Sequence, residues 1–233
     1  MNIILYLIKR HIHYGESMKI IAFGDIHMDY HAARNIPGIE HADMIIITGD
    51  LTNFGGRKDA ETVLNVIRGL NQNILALPGN LDQPSAGGYL DELEINIHGR
   101  GIKAGDAGIF GVGGSNITPF NTPIEFSEEE LFHLAMKGYE DVALLPVKIF
   151  VSHAPPFNTA ADRIESGIHV GSAAIRRFIE EKQPDFCLTG HIHESRGEER
   201  LGKTLVLNPG MLREPGWIEI ARDDTGIWSA RLN

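Results

Sequence analysis

The sequence predicts an α/β fold, in which two layers of sheet are wrapped by helices in a single domain. The first third of the 233-residue chain alternates apolar, β-branched runs with segments of helical periodicity, which is typical of βαβ units and a parallel sheet. The middle is rich in glycine, which favours hairpins with tight turns. The last third returns to strand–helix order and ends in segments that indicate antiparallel strands.

Five short apolar runs are the predicted strands of the parallel regions, because each is followed by glycine or polar residues that end a strand. They are residues 19–23, 44–48, 73–77, 148–151 and 185–189. The glycine-rich segment 99–115 is predicted to form hairpin strands. Residues 204–207, 217–221 and 226–231 are predicted to form an antiparallel run, with a turn near Asp223.

Helical spacing of apolar residues predicts the helices between these strands. They cover residues 29–35, 57–70, 88–93, 127–136 and 172–182, of which the third has the loosest pattern. Ser127 is the predicted N-cap of its helix, and Glu130 occupies the position of a capping box. Pro184 follows the last of these helices, where it prevents the helix from continuing.

The composition is that of a globular protein with a buried core, since 42% of the residues are hydrophobic and 22% are charged. The formal net charge of −10, with no run of Lys and Arg, argues against stable binding to nucleic acid. The one cysteine, Cys187, lies in a predicted strand and cannot form an internal disulfide. We therefore expect a core cysteine in a cytoplasmic protein.

Residues 1–17 are predicted to be an extension, upstream of the fold or loosely packed on it, and residues 18–233 are the predicted domain. Residues 1–8 are apolar and are followed by basic residues, which is the reverse of the order in a secretory signal. The apolar run is also far shorter than the roughly 20 residues that a membrane helix needs. We therefore expect no association with a membrane.

Polar residues with metal-binding side chains follow each of the five predicted parallel strands. They are Asp25, His27, Asp50, Asn80, His153, His191 and His193. Open α/β sheets bind their ligands outside the carboxyl ends of the strands, and oxygen and imidazole ligands suit divalent first-row metals. Any one of these segments alone could be an ordinary turn, but all five in this order predict one dinuclear metal site.

The five segments resemble the motifs of the calcineurin-like metallophosphoesterases, which are Asp-x-His, Gly-Asp, Gly-Asn-His, a lone His and Gly-His-x-His. They occur here in the same order between residues 19 and 193. The resemblance is to the small bacterial and archaeal members without accessory domains. It implies a four-layer α-β-β-α sandwich, in which two mixed sheets are flanked by helices.

The resemblance also implies roles for the individual residues. Asp25, His27 and His193 would bind one divalent ion, Asn80, His153 and His191 would bind the second, and Asp50 would bridge them. The two ions would be manganese, iron, zinc, nickel or cobalt, and a hydroxide between them would attack the phosphorus atom. Asp50 and Asn80 are thus the predicted catalytic residues, and Asn80 and Asn116 the predicted substrate contacts.

The third motif departs from the family pattern, because Leu81 occupies the position of its histidine. Leucine cannot protonate a leaving group. Protonation by a general acid typically increases the rate by about 10²–10⁴-fold. We therefore expect a preference for phosphodiesters or for esters with acidic leaving groups. His31 and His169 are the candidates to replace the missing acid, and Asp82 either orients its neighbours or is a surface carboxylate.

The predicted function is metal-dependent hydrolysis of phosphoesters, with a small phosphoester or a nucleotide as substrate. A nucleotide or cyclic-nucleotide phosphodiesterase is an alternative, whereas a nuclease is disfavoured because the chain has no basic groove. A non-catalytic, protein-binding scaffold of the same fold is the alternative from another class, against which the complete ligand set argues. An exposed sheet edge or the apolar residues 1–8 could support a homo-oligomer.

Overall fold

The structure is a computed structural model that describes residues 17–214 and 216–233. The predicted extension therefore lies outside the described residues, apart from residue 17. In chain order the strands are β1 (Met18–Phe23), β2 (Met44–Ile47), β3 (Ile74–Ala76), β4 (Arg100–Ala104), β5 (Ala107–Val112), β6 (Ser115–Asn116), β7 (Glu125–Phe126), β8 (Val147–Ser152), β9 (Phe186–Leu188), β10 (Gly197–Leu201), β11 (Thr204–Asn208), β12 (Ile218–Arg222) and β13 (Trp228–Leu232). The α-helices are α1 (Arg57–Leu70), α2 (Pro84–Glu92), α3 (Glu128–Val142) and α4 (Ala173–Lys182).

Two mixed sheets form the centre of the molecule. The first has the strand order β13-β12-β1-β2-β3, with β1, β2 and β3 parallel to one another and β12 antiparallel to β1. The second has the order β10-β11-β9-β8-β5-β4, in which the four inner strands are parallel and the two outer strands are antiparallel to their neighbours. The mixed sheets predicted from the sequence are therefore confirmed.

The central strands of each sheet are buried on both faces, which gives four layers. Along β2, Ile45 and Ile47 pack against the buried face of α1, whereas Ile46 belongs to the cluster between the sheets. Side chains alternate between the two faces of a strand, so a strand that is covered on both sides is apolar throughout. On the other side of the molecule, Phe150 of β8 packs with Phe178 of α4. The order of layers is helix, sheet, sheet and helix.

The predicted antiparallel run near the C-terminus is confirmed for β12 and β13, which pair antiparallel, and is wrong for β11. β11 pairs in parallel with β9 in the second sheet, whereas β12 pairs with β1 in the first. The error arises because alternation of apolar residues specifies the face that a strand buries, but not its neighbour. β10 was not predicted, because its sequence GEERL is that of a largely exposed edge strand.

The helices lie close to the positions that the sequence predicts. α1 has the predicted bounds, and α3 starts at the predicted capping box, in which Ser127 Oγ accepts from Glu130 N and the Glu130 carboxylate accepts from Ser127 N. α2 begins at Pro84, earlier than predicted, because proline is favoured in the first turn of a helix. The predicted helix at 29–35 is a 3-10 helix, Tyr30–Asn35. In the described part of the chain, no helix has both the length and the apolarity needed to cross a bilayer.

Candidate metal centre

The seven predicted ligand residues come together at one edge of the sandwich. The loops after β1, β2 and β3 bring Asp25, His27, Asp50 and Asn80 from the first sheet, and the loops after β8 and β9 bring His153, His191 and His193 from the second. Direct contacts join the two groups across the gap between the sheets. The His191 amide, for example, donates to both Asp25 oxygens, at 3.2 and 3.0 Å.

One cluster consists of Asp25, His27 and His193. Nε2 of His193 lies 3.1 Å from Oδ1 of Asp25 and 3.1 Å from Nε2 of His27. One potential ligand atom from each residue lies within 4.8 Å of the others. The imidazole nitrogens therefore point at each other and at a carboxylate, as ligands around one cation do.

A second cluster consists of Asp25, Asp50 and His153, with Asn80 beside it. Nε2 of His153 lies 3.4 Å from Oδ2 of Asp50 and 3.0 Å from Oδ1 of Asn80. The same Asp50 oxygen is 3.9 Å from Nε2 of His27 in the first cluster. Oδ2 of Asp50 therefore lies between the two clusters. The other oxygen, Oδ1, accepts from the backbone nitrogen of Leu81.

The backbone at the site is strained. Asp25, His27, Asp50 and His191 have φ angles of 47°, 48°, 48° and 69°, in the left-handed region that residues with a side chain seldom occupy. Each such residue costs roughly 1–3 kcal/mol, which other interactions of the fold must offset. Four of the seven predicted ligands share this conformation. The strained conformation of these loops therefore serves to orient their side chains and does not stabilise the loops themselves.

Close approach of the loops requires glycine beside the ligands. A Cβ on Gly79 would overlap the backbone nitrogen and Oδ1 of Asp50, and a Cβ on Gly49 would overlap the His153 ring. Gly49 also has a φ of 115°, which a side chain would disfavour. The Gly-Asp and Gly-Asn pairs of the sequence are thus explained by crowding between the loops.

Residues that the sequence did not single out hold the imidazole rings. The Thr48 carbonyl lies 3.0 Å from Nδ1 of His153, and since a carbonyl only accepts, Nδ1 carries a hydrogen and Nε2 is turned toward the site. Oδ1 of Asn53 lies 2.9 Å from Nδ1 of His27 and has the same effect. The Thr48 contact uses a main-chain atom, so no residue pattern could have indicated it. Asn53 gave only the weak signal of a polar residue near Gly49-Asp50.

Asp82 is fully buried and is not a surface carboxylate. Its oxygens accept from the backbone nitrogens of Leu51, Thr52 and Gly79, at 3.1, 2.8 and 2.9 Å, and from the Thr52 hydroxyl. It therefore connects the loop of Asp50 to the loop of Asn80, which is the orienting role given above as one of its two predicted roles. Burial, together with the nearby charge of Asp50, raises the pKa of Asp82 to about 6.

The ionisation of the clustered groups reflects their crowding. Burial alone would lower the pKa of His153, but the Asp50 carboxylate raises it to about 9. Burial would raise the pKa of Asp25, but the neighbouring imidazoles of His193 and His27 hold it below its usual range. In contrast, burial and the neighbouring His153 lower the pKa of His191 to about 4. The two carboxylates thus attract cationic partners into a buried space.

The remaining candidates lie outside the two clusters. Nδ2 of Asn116 donates to the Val170 carbonyl at 3.3 Å, and its buried Oδ1 has no hydrogen-bond partner among the described residues. His31 is exposed and contacts the Tyr30 ring. His169 is bound to a buried carboxylate of the loop that follows His153.

The donor set fits divalent cations. Carboxylate, amide oxygen and neutral imidazole are the ligands of manganese, iron, cobalt, nickel and zinc sites. The second nitrogens of His27 and His153 are hydrogen-bonded in the way that ligating histidines are. The fold and the site together define a class of metal-binding α-β-β-α sandwiches.

Within that class the chain belongs to the calcineurin-like phosphoesterase family, since the model of this family matches residues 18–195. It is also similar to the uncharacterized protein MJ1162 of Methanocaldococcus jannaschii. The two are 38% identical over 199 residues, which cover 82% of this chain and 88% of that protein.

Solved structures share the fold at low sequence identity. Protein TT1561 of Thermus thermophilus has a TM-score of 0.68 and 19% identity, over 92% of this chain and 98% of that one. A dimetal phosphatase from Danio rerio has a TM-score of 0.55 and 8% identity, over 88% of this chain and 95% of that one. These similarities confirm the four-layer fold.

Proposed function

We propose that this protein is a phosphoric ester hydrolase that uses two divalent cations. The observation that carries the proposal is the pair of donor clusters that meet at Asp50, whose Oδ2 faces His27 on one side and His153 on the other. The family contains phosphoesterases, and the Danio rerio protein of similar fold is named a dimetal phosphatase.

We assign Asp25, His27 and His193 to the first cation, and Asn80, His153 and His191 to the second, with Asp50 shared. By distance alone Asp25 also belongs to the second cluster. We favour Asp50 as the shared ligand because its oxygen lies near histidines of both clusters. Both oxygens of Asp25, in contrast, accept from the His191 amide.

When bound, two such cations make a water molecule acidic and neutralise charge on the phosphoryl oxygens. The residues of the chain supply the rest. Asp50 fixes the separation of the two clusters, because the Leu81 amide and the crowding at Gly79 hold its carboxylate in place. Nδ2 of Asn80 donates to Thr122 Oγ1 at 3.1 Å, which orients its amide oxygen toward the site. Asn116 stays a proposed substrate contact, and its buried Oδ1 has no hydrogen-bond partner among the described residues.

We further propose that phosphodiesters are better substrates than monoesters. The chain has Leu81, a partly exposed and non-ionising side chain, where the family motif has histidine. A monoester dianion with a poor leaving group depends more on protonation of the departing oxygen. An activated diester depends on it less.

The test compares bis(p-nitrophenyl) phosphate with p-nitrophenyl phosphate, with manganese added and then with EDTA. We expect manganese-dependent cleavage that favours the diester and is abolished by EDTA. His153→Asn and Asp25→Asn should lose the activity, and the exposed His31→Gln should keep it. Cleavage that survives EDTA would contradict the metal mechanism, and faster cleavage of the monoester would contradict only the diester preference. Two bound metals with no cleavage of either ester would favour a binding role.

A further inference from the structure

A group of hydrogen bonds outside the two metal clusters surrounds the carboxylate of Glu125, at the start of β7. Oε1 of Glu125 accepts from the hydroxyls of Thr118 and Thr122, at 2.6 and 2.7 Å, and from the backbone nitrogen of Thr122 at 2.8 Å. Burial alone would raise the pKa of Glu125, but these hydrogen bonds lower it. The carboxylate is therefore ionised at neutral pH, and an ionised carboxylate can only accept.

Thr122 connects this carboxylate to one of the proposed metal ligands, because its Oγ1 also lies 3.1 Å from Nδ2 of Asn80. A hydroxyl has one hydrogen, and the contact with the Glu125 carboxylate uses it. The Thr122 oxygen is then left as an acceptor, and only the NH₂ end of the Asn80 carboxamide can donate to it. The hydrogen bonds therefore determine which end of this carboxamide faces the loop.

The opposite end of the Asn80 carboxamide faces the second cluster. Its Oδ1 lies 3.0 Å from Nε2 of His153, and the Asn80 residue is only 3% exposed. An amide oxygen can bind a cation, whereas an NH₂ group presents hydrogens to it. A flip of the carboxamide would therefore remove a ligand. The main chain adds a second attachment, because the Ile124 amide donates to the Asn80 carbonyl at 3.2 Å.

We propose that Glu125, acting through Thr122, is a positioning residue that keeps the amide oxygen of Asn80 turned toward the second cation. The inference rests on the proposed function, which assigns Asn80 to that cation. Glu125 acts indirectly, since the Thr122 hydroxyl lies between it and the ligand. Removing a partner that orients a ligand typically weakens metal binding by about 10–100-fold. The loop before β7 therefore contributes to metal affinity through side chains that are not themselves ligands.

The first test titrates metal-free protein with manganese in a calorimeter. Thr122→Val removes the acceptor, so we expect the Kd of one cation to rise about 10–100-fold and that of the other to change less than about 3-fold. Glu125→Gln should act in the same direction, because its amide can donate to Thr122. Thr122→Ser keeps the hydroxyl and should restore the affinity. The matched controls are Thr62→Val and Glu129→Gln, at exposed helix positions, and both should bind as the wild type does.

The second test separates an effect through Asn80 from a general loosening of the loop. In Asn80→Asp both ends of the side chain are oxygens, so adding Thr122→Val should change the Kd less than about 3-fold. An equal loss of affinity in both backgrounds would overturn the inference, as would unchanged affinity in Thr122→Val alone.

These titrations need no turnover. If the affinities change as expected but no ester is hydrolysed, the hydrolase function fails and the inference stands. A wild type that binds no manganese would overturn the metal centre and the inference together.

Discussion

At the scale of single residues, the site consists of charged and polar side chains that are buried instead of exposed to solvent. Asp25, Asp50 and His153 are buried, although charged and polar groups are normally exposed. The seven predicted ligands could be selected from the sequence because each follows a strand end, where ligands collect, and the structure brings six of them into the two clusters. It could not decide the burial of Asp82, because the donors to that carboxylate come from segments remote in sequence.

A buried histidine away from the metal centre gives a prediction on acid stability. Burial lowers the pKa of His98 to about 4, and Nδ1 of this residue accepts from the Gly113 amide at 2.9 Å. In the unfolded chain the His98 imidazole is protonated near pH 6.5. Between pH 6.5 and 4, His98 is therefore protonated in the unfolded state but neutral in the folded state. Folding is therefore weakened as pH falls through this window, by about 2 kcal/mol at pH 4.5.

We expect His98→Asn to lose less stability than the wild type between pH 7 and 4.5, since its amide oxygen can accept from Gly113 without titrating. Urea unfolding at several pH values measures the difference. His133→Asn, at an exposed position, should follow the wild type. Parallel stability curves for His98→Asn and the wild type would refute the expectation.

At the scale of elements, the helices with local signals were the most predictable. α1 and α3 begin where the sequence indicated, because spacing and caps are encoded within a few residues. Strand partners were less predictable, as the division of β11 and β12 between two sheets demonstrates. Which strands are neighbours depends on the arrangement of the whole chain, and a local sequence pattern does not specify it.

The cap of α3 should contribute measurably to stability. Ser127→Ala removes the hydroxyl that accepts from Glu130 N at 3.3 Å, and we expect a loss of about 1 kcal/mol in the free energy of unfolding. Ser127→Thr keeps the hydroxyl and should lose less than half of that. Equal losses for the two variants, measured by urea unfolding, would show that the cap contributes little.

The turn after β3 should tolerate no side chain at Gly79. A Cβ there overlaps Asp50, so we expect Gly79→Ala to reduce metal content from two ions to fewer than one and to lower the melting temperature. Gly88→Ala, on α2, is the matched control. Nothing lies within 4 Å of its added Cβ, so it should bind two ions and gain up to about 1 kcal/mol in stability. Elemental analysis measures the metal content, and full occupancy in Gly79→Ala would contradict the role of the close approach.

At the scale of the whole molecule, the site joins two sheets that otherwise meet through an apolar layer. Its proposed ligands come from the loops after β1, β2 and β3 on one side and after β8 and β9 on the other. Neither sheet carries a complete site, so the native arrangement of both is required for binding. Metal binding and global folding should therefore be linked.

The linkage gives a prediction for thermal unfolding. A metal that binds only the folded protein stabilises it by about 2.7 kcal/mol at one hundred times its Kd. We expect manganese to raise the Tm by several degrees and EDTA to reverse the rise. In His153→Asn the manganese effect should be at most half as large, whereas in His31→Gln it should persist. A Tm that manganese leaves unchanged in the wild type would contradict the assigned centre.

The central position of β1 has a consequence for synthesis of the chain. One edge of β1 pairs with β2, which follows it closely, but the other edge pairs with β12, which the ribosome makes only after both groups of metal ligands. Until then β1 exposes an unpaired apolar edge, of the kind that associates with other chains. We therefore expect the nascent chain to be prone to association during translation, and the first sheet to close late in folding.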